Sequence, residues 1–416
     1  MNSVISYPLN GADRFQLYFD DLARKNTGTG NVIRAAVAIE GMVLEPEIRK
    51  LIESNECLRF LSSISLSRNF LSGLYSFRNN GSSKSFPVNI HRNTYMEALP
   101  SVISKDCDLS NGSPVRVDVM FDENKTYLVI SVSHVLIDHS GMEILLSSFT
   151  EENNFGKISA PAQKKSFFSK LADSFSATIF VSSMSGRAMK RLNRKSGKGN
   201  VRFNLVEMTV DETGRIKDHM MKLNASMLSF FLGSSLFTSG SIPDLFTGKN
   251  YFVPVPMDRR PASCKNSLLS NFISFIYFKA TDSDLKSLKA SVELITRQTI
   301  SQARKNIPGK FSSLLDLFRF VPKPFYRAFI ELPGGGHAAT FAFSLLTNSG
   351  MEGKKILGYK VINVTHYAPV ISPPGLNVIF SEFNGKLKIL CSFDESRITN
   401  EDVVIFLEAL KLNLLG

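Results

Sequence analysis

Two strand-like runs separated by a short polar turn most constrain how this chain can fold. In PVRVDVMF (114–121), valines and Phe121 alternate with other residues, which predicts a strand with one apolar face. The turn DENK (122–125) leads to TYLVISVS (126–133), which is apolar on both faces and so predicts a buried strand. GMEILLSSF (141–149) has the spacing of a helix. The segment HVLIDHSG therefore lies in a loop between a buried strand and a helix, a common location for catalytic groups.

Strand and helix patterns are mixed along the rest of the chain. The first half predicts a helix at 11–25, a strand at 31–41 and a helix at 45–55. Near the C-terminus, Asn384-Gly385 separates two strand-like runs, a strong hairpin signal, and a helix capped near Thr399 or Asn400 follows. These patterns predict an α/β (α+β) fold with mixed or antiparallel sheets.

The length of 416 residues suits two lobes better than one compact unit. We predict a first lobe at 1–165, a basic crossover linker at 166–200 and a second lobe at 201–416. The N-terminus has no signal-peptide pattern, and no apolar run is long enough to span a bilayer. The four cysteines form no C-x-x-C pair, which argues against a zinc site or a disulfide scaffold and suits a reducing compartment. We therefore expect a cytoplasmic protein.

The formal net charge of +12 indicates a surface that attracts anions, such as nucleic acid, anionic lipid, an acidic carrier protein or nucleotide phosphates. Nucleic-acid binding is not expected, because no recognition motif accompanies the charge. The basic cluster at 187–198 is interpreted first as a solvated crossover loop, and otherwise as a docking site for a carrier protein, for coenzyme A phosphates or for an anionic membrane. The segment 310–329 has the composition of an interfacial helix, although most such helices face a core.

His134 and Asp138 stand four residues apart in the predicted loop. A neutral imidazole suits the removal of a proton from an attacking hydroxyl or amine, and a nearby carboxylate can orient the ring or hold the loop. The alternative interpretation is a core histidine at a strand end beside a solvated Asp. His139 adds a second imidazole, but no third ligand is identifiable and the spacing fits no standard zinc motif, so we expect no metal.

Four landmarks, in this order along the chain, carry a resemblance to one known family. SHVLIDHSG resembles the family's H-x-x-x-D motif, and PVPMDRRP resembles its D-x-R segment. LLSNFISFIYF resembles its Gly-Asn-Phe strand, and FSLLTNSG resembles its Ser-Asn-x-Gly strand. The terminal PPGLNVIFSEFNGKLKILCSFDES is also similar, so the resemblance runs the length of the chain. The sequence thus resembles the condensation-domain-like acyltransferases, the superfamily of chloramphenicol acetyltransferase, BAHD acyltransferases, wax ester synthases, alcohol acetyltransferases and peptide condensation domains.

The resemblance implies a monomer of two chloramphenicol-acetyltransferase-like lobes with an active-site channel at their interface. His134 would deprotonate the acceptor, and Asp138 would pair with Arg260, or with Arg259 if the register differs. Candidate donors to the oxyanion or channel are Gly141, Asn271 and Asn348. No bound cofactor is implied, since the thioester of coenzyme A or of a phosphopantetheine-carrying protein is a substrate.

Three positions depart from the family pattern. Ser133 replaces the first of two consecutive histidines, Ser270 replaces the glycine of Gly-Asn-Phe, and His139 replaces the glycine that usually follows the Asp. The side chain of His139 could change the shape of the site. The sequence thus predicts an acyltransferase that forms an ester, or an amide, in secondary metabolism or lipid biosynthesis. The alternative is a catalytically silent module that binds a carrier protein or a lipid.

Overall fold

The computed structural model describes residues 5–69, 73–79, 81, 85–150, 166–184, 189–193, 199–331, 337–346 and 349–416. These residues form two compact units. The first unit contains 1–164, 258–272 and 348–369, and the second contains 165–257, 273–347 and 370–416.

The elements of the N-terminal part begin with a strand and end with the helix that follows the histidine loop. They are β1 (Ile5–Pro8), α1 (Gly11–Thr27), β2 (Val32–Glu40), α2 (Glu45–Ser54), α3 (Glu56–Ser63), β3 (Ile64–Arg68), β4 (Tyr75–Asn79), β5 (Val88–His91), α4 (Tyr95–Ile103), β6 (Val115–Asp122), β7 (Lys125–Ser133) and α5 (His139–Ser147).

The remaining elements continue to the C-terminus. They are α6 (Phe167–Met184), β8 (Arg191–Leu192), β9 (Val201–Glu207), α7 (Val210–Lys222), α8 (Met227–Ser241), β10 (Phe246–Thr247), β11 (Asn250–Asp258), β12 (Ile273–Thr281), α9 (Leu288–Arg304), α10 (Ile307–Phe318), α11 (Lys323–Glu331), β13 (Ala342–Leu345), β14 (Lys355–Ile356), β15 (Tyr359–Tyr367), β16 (Leu376–Phe383), β17 (Lys386–Asp394) and α12 (Asn400–Leu415).

A six-stranded sheet, in the order β14-β15-β2-β7-β6-β5, forms the centre of the first unit. The strands β15, β2, β7 and β6 pair antiparallel, whereas β5 and β6 are parallel. The predicted hairpin is present as β6 and β7, and β7 is buried over nearly its whole length, as its apolar sequence indicates. His134 therefore directly follows a buried strand at the centre of the sheet.

The second unit contains a four-stranded sheet in the order β13-β16-β17-β9 and a separate pair, β11 and β12. The predicted C-terminal hairpin is β16 and β17, and Asn384 and Gly385 both have the positive φ values that its tight turn requires. The helix α12 begins after Thr399, whose side chain forms a capping box with Asp402. The packing of α12 against α7 and α8 helps to bury the core of this unit.

The observed division of the chain differs from the predicted lobes in two segments. Residues 258–272 and 348–369 belong to the first unit, although both lie within the predicted second lobe. The second of these segments contributes β15, which pairs with β2 at the centre of the sheet. Such long-range strand pairing carries no local signal, so a division at one linker could not include it.

The segments around the predicted linker and the predicted interfacial helix also have definite structure. The helix α6 occupies much of the predicted linker, whereas 185–188 and 194–198 of the basic cluster lie outside the described residues. The segment 310–329 divides into α10 and α11, and α10 packs against α6 with its apolar residues buried. For α10, the core-facing interpretation is the correct one.

Among the described residues, no helix has both the length and the hydropathy that a membrane span requires. All four cysteines are buried as free thiols.

Candidate active site

The loop between β7 and α5 fixes the orientation of His134. The backbone N–H of His134 donates to the carbonyl of Asn31 at 2.8 Å, which continues the pairing with the start of β2. Its ring Nδ1 lies 2.8 Å from the carbonyl oxygen of Ile137. A carbonyl only accepts, so Nδ1 carries the proton, and Nε2 of the neutral ring is the nitrogen with a lone pair.

The environment of His134 favours the neutral ring. Burial lowers the pKa of His134 below its usual value, although the hydrogen bond to Ile137 and the charge of Asp138 raise it in part. Because the net direction is downward, the imidazole remains unprotonated at neutral pH. An unprotonated Nε2 can accept a proton from an attacking group.

Asp138 is buried and holds the loop through three hydrogen bonds. As the N-cap of α5, its Oδ1 accepts from the backbone N–H of Gly141 at 2.9 Å. The same oxygen accepts from Nη2 of Arg260 at 2.5 Å, and Oδ2 accepts from the backbone N–H of Phe272 at 2.9 Å. Its carboxylate is thus directed at the helix terminus and the 258–272 segment rather than at the histidine ring.

Arg260, and not Arg259, is the partner of Asp138. The guanidinium of Arg260 also donates through Nη1 to the carbonyl of Ser267 at 2.6 Å and lies over the ring of Phe272, 4.5 Å from its centroid. Arg259 is exposed, and its backbone N–H donates to the carbonyl of Phe272. The expected pair is therefore present in the register that the resemblance implies.

Asn271 also supports the loop. Its Nδ2 lies within hydrogen-bonding distance of the backbone carbonyls of His134 and Val135, at 3.1 and 3.0 Å, and of Asp13 Oδ1 at 3.1 Å. Because its N–H donors are already directed at these acceptors, Asn271 positions the loop and has no donor left for an oxyanion. The sequence interpretation missed Asp13, which is fully buried; burial raises the pKa of Asp13 to about 7 against the opposing hydrogen bonds from Asn271 and Asn10.

Gly141 has a packing role. Its N–H is already bonded to Asp138, so this donor is also committed. A Cβ at this position would lie 2.9 Å from the carbonyl oxygen of Leu268 and 2.9 Å from the Cβ of Ile137. Of the predicted oxyanion donors, Gly141 and Asn271 thus stabilise the loop, whereas Asn348 lies outside the described residues.

His139 has an environment that the sequence interpretation did not foresee. It is the first residue of α5, and its ring lies against that of His366 in β15, with centroids 4.8 Å apart. Glu143, one turn later in α5, approaches His366 with Oε1 2.9 Å from Nε2. Burial, followed by the charge of His366, lowers the pKa of His139 to about 4. Burial opposes ionisation of Glu143, but His366, His139 and Ser349 together lower its pKa to about 2.

Comparison with known proteins gives matches at the level of structure alone. No protein-family model and no curated protein matches the sequence. The trichothecene 15-O-acetyltransferase TRI3 from Fusarium sporotrichioides matches with a TM-score of 0.76 and 11% identity, covering 99% of this chain and 95% of that one. The condensation domain of the monacolin K polyketide synthase MokA matches with a TM-score of 0.67 and 13% identity, covering 100% and 98%.

A third structure extends the range of functions among the matches. The epimerization domain from the third module of tyrocidine synthetase B matches with a TM-score of 0.63 and 13% identity, covering 100% and 96%. This chain therefore has the fold of the condensation-domain-like, chloramphenicol-acetyltransferase-like acyltransferases, as its sequence landmarks predict. Its sheets are mixed and are flanked by helices, which confirms the predicted fold class.

Proposed function

We propose that the protein is an acyltransferase that moves an acyl group from a coenzyme A or carrier-protein thioester to an alcohol or amine. One observation carries the proposal. In the His134 loop, the Nδ1–H donates to Ile137, and burial lowers the pKa of the ring, so Nε2 is an unprotonated base. The Asp138–Arg260 pair and Asn271 hold that loop.

The proposed reaction needs no bound cofactor and no acyl-enzyme intermediate. The acceptor oxygen or nitrogen attacks the thioester carbonyl while its proton moves to Nε2 of His134. The tetrahedral intermediate then expels the thiolate as the C–S bond breaks, and the proton on Nε2 passes to the sulfur. The products are an ester or amide and a free thiol. A base of this kind contributes about 10²–10⁴-fold in rate.

The nature of the substrates follows from composition and charge. We favour an ester over an amide product. The chain contains 33 Phe and no Trp, which favours a hydrophobic acyl chain or acceptor. The net charge of +12 suits both phosphate-bearing donors, coenzyme A and a carrier protein with its phosphopantetheine arm. We propose that the protein acts as a monomer in the cytoplasm.

Contact with an anionic membrane surface is a separate proposal. The helix α6 exposes a row of apolar side chains, which includes Phe168, 80% exposed, and Phe175, 70% exposed. Such a row on a basic protein suits shallow insertion between lipid headgroups. Co-sedimentation with phosphatidylglycerol vesicles tests this contact, because a Phe168→Ser, Phe175→Ser variant should bind them less. Equal binding by both proteins would exclude α6 as the contact.

The experiment that tests the transferase measures free thiol release from short-, medium- and long-chain acyl-CoAs, with and without alcohols and amines. Wild type is compared with His134→Ala, and with His219→Ala as a control that loses a histidine of α7. We expect release that requires an acceptor, falls about 10²–10⁴-fold in His134→Ala and persists in His219→Ala. If acyl-CoAs give no release, the panel is repeated with carrier-bound donors. Failure there, with binding retained, would replace the transferase with the non-catalytic carrier- or lipid-binding module.

A further inference from the structure

Two imidazoles and a carboxylate converge beside the loop of His134, although they are distant in the sequence. His139 and Glu143 lie one turn apart on the same face of α5. His366 lies in β15, opposite Ala35 of β2 in the central sheet. One potential ligand atom of each side chain lies within 4.8 Å of those of the other two. We propose that these three residues bind a divalent transition-metal ion of the Zn²⁺ type.

Among the described residues, several polar atoms at this place lack hydrogen-bond partners. Both ring nitrogens of His139 and Nδ1 of His366 are buried and make no hydrogen bond within the part of the chain that the structure describes. Nε2 of His366 and Oε1 of Glu143 have only each other, 2.9 Å apart. Buried polar atoms without partners are rare and costly in folded proteins. A cation coordinated by one nitrogen of each ring and by Oε1 would satisfy an atom on all three side chains.

A simple ion pair explains less of the arrangement. His366 Nε2 and Glu143 Oε1 lie 2.9 Å apart, so a protonated His366 could pair with the carboxylate. That pair would leave His139 with two buried nitrogens and no partner, and it would place a second imidazole against a cation. A metal ion between the three groups accounts for the position of His139 as well.

The carboxylate is also held in the manner of a metal ligand. Oε2 of Glu143 accepts from Ser349 Oγ at 2.8 Å and from the backbone N–H of Gly350 at 2.8 Å. These bonds orient the carboxylate and leave Oε1 directed at His366. Outer-shell hydrogen bonds of this kind are common around ligating side chains and contribute to metal affinity.

The ligand set indicates the class of ion. Two imidazoles and one carboxylate, without a thiolate, suit Zn²⁺ or a similar first-row divalent ion. Bonds of about 2.0–2.2 Å to the ion require small side-chain rotations that adjust the separations of the three ligand atoms. Three protein ligands leave a coordination position for water. The ion would tie the first turn of α5, which Asp138 caps, to β15, and this role is independent of the proposed function.

Metal-free protein, prepared by dialysis against a chelator, tests the site. Zn²⁺ binding is measured by calorimetry, and Co²⁺ binding is measured by its visible absorption, for wild type, His139→Ala and the control His219→Ala. His139 makes no side-chain hydrogen bond in the described structure, so its loss should leave the fold intact. We expect one Zn²⁺ per chain in wild type and in His219→Ala, with affinity at least about 100-fold weaker in His139→Ala.

Two further measurements separate a metal site from a structural effect. Zn²⁺ should raise the Tm of wild type and leave the Tm of His139→Ala unchanged, because an ion that binds only the folded state stabilises it. Ser349→Ala removes an outer-shell partner and should weaken Zn²⁺ binding by about 10–100-fold. The proposal is overturned if wild type binds Zn²⁺ no more tightly than His139→Ala, or if His219→Ala weakens binding to the same extent.

Discussion

Nδ1 of His134 lies 2.8 Å from the carbonyl oxygen of Ile137, three residues further along the same loop. The backbone therefore selects the tautomer and the orientation of the ring. Asp138 is fully engaged with Gly141, Arg260 and Phe272 instead. Of the two roles that the sequence left open for this carboxylate, the contacts support holding the loop.

The pH dependence of activity should reflect the burial of His134. The base form is the neutral ring, and burial lowers the pKa of His134, so the base persists to lower pH than in an exposed histidine. We expect kcat/KM for thiol release, followed over about pH 5–8, to fall on the acid side with a midpoint below 6.5, the ordinary histidine value.

Asp13 provides the control for that profile. Burial raises its pKa to about 7, and it contacts Asn271, which holds the loop. The acid limb should keep its midpoint in Asp13→Asn if His134 is the titrating group. A midpoint at or above 6.5 would contradict the assignment, as would a limb that disappears in the Asp13 variant.

Arg260→Lys should destabilise the protein even though the charge is kept. The guanidinium bonds at once to Asp138 and to the carbonyl of Ser267, and a single ammonium cannot reproduce this fork. A lost hydrogen bond to a charged group costs about 1.5–3 kcal/mol, measurable by urea unfolding. The exposed Arg259→Lys is the matched control and should remain within about 0.5 kcal/mol of wild type. Equal effects at the two positions would argue against the buried pair.

Gly141→Ala should destabilise the first turn of α5. The added Cβ would meet the Leu268 carbonyl oxygen and the Ile137 side chain at 2.9 Å, and overpacking of this kind costs about 1–3 kcal/mol. Gly214 lies within α7 with no atom near its would-be Cβ, so Gly214→Ala should instead stabilise by about 0.5–1 kcal/mol. The urea midpoints of the two variants should shift in opposite directions. An unchanged midpoint in Gly141→Ala would show that α5 can move away from Leu268 and Ile137.

Local patterns predicted strands in both units and the position of the histidine loop. Each signal depends on only a few consecutive residues. The examples are the alternation in β6, the apolar run of β7 and the Asn384-Gly385 turn. The pairing of Asp138 with Arg260, 122 residues away, carries no such signal, and only the family resemblance implied it.

The sequence interpretation missed several site residues for two reasons. Some of them meet only through long-range contacts, and one helix begins earlier than predicted. Asp13 meets Asn271 across 258 residues. The helix was predicted to begin at Gly141, but it begins at His139, so the one-turn spacing of His139 and Glu143 was not recognised. His366 reaches them only because β15 pairs with β2. The expectation of no metal rested on the lack of a third ligand. Glu143 and His366 are candidate ligands beside His139.

Ser270 stands where the family pattern has glycine, and its φ of 81° is one that glycine adopts more readily. Its backbone N–H donates to the carbonyl of Leu136 at 2.7 Å, so the conformation is fixed by its contact with the loop. A left-handed residue with a Cβ costs about 1–2 kcal/mol, and the greater freedom of glycine in the unfolded chain returns about 0.4–1 kcal/mol of that. Ser270→Gly should therefore stabilise the protein by about 0.5–1 kcal/mol in urea unfolding. Ser270→Ala keeps the Cβ and should give no such gain, so equal stabilisation by both variants would place the effect in the hydroxyl rather than in the backbone.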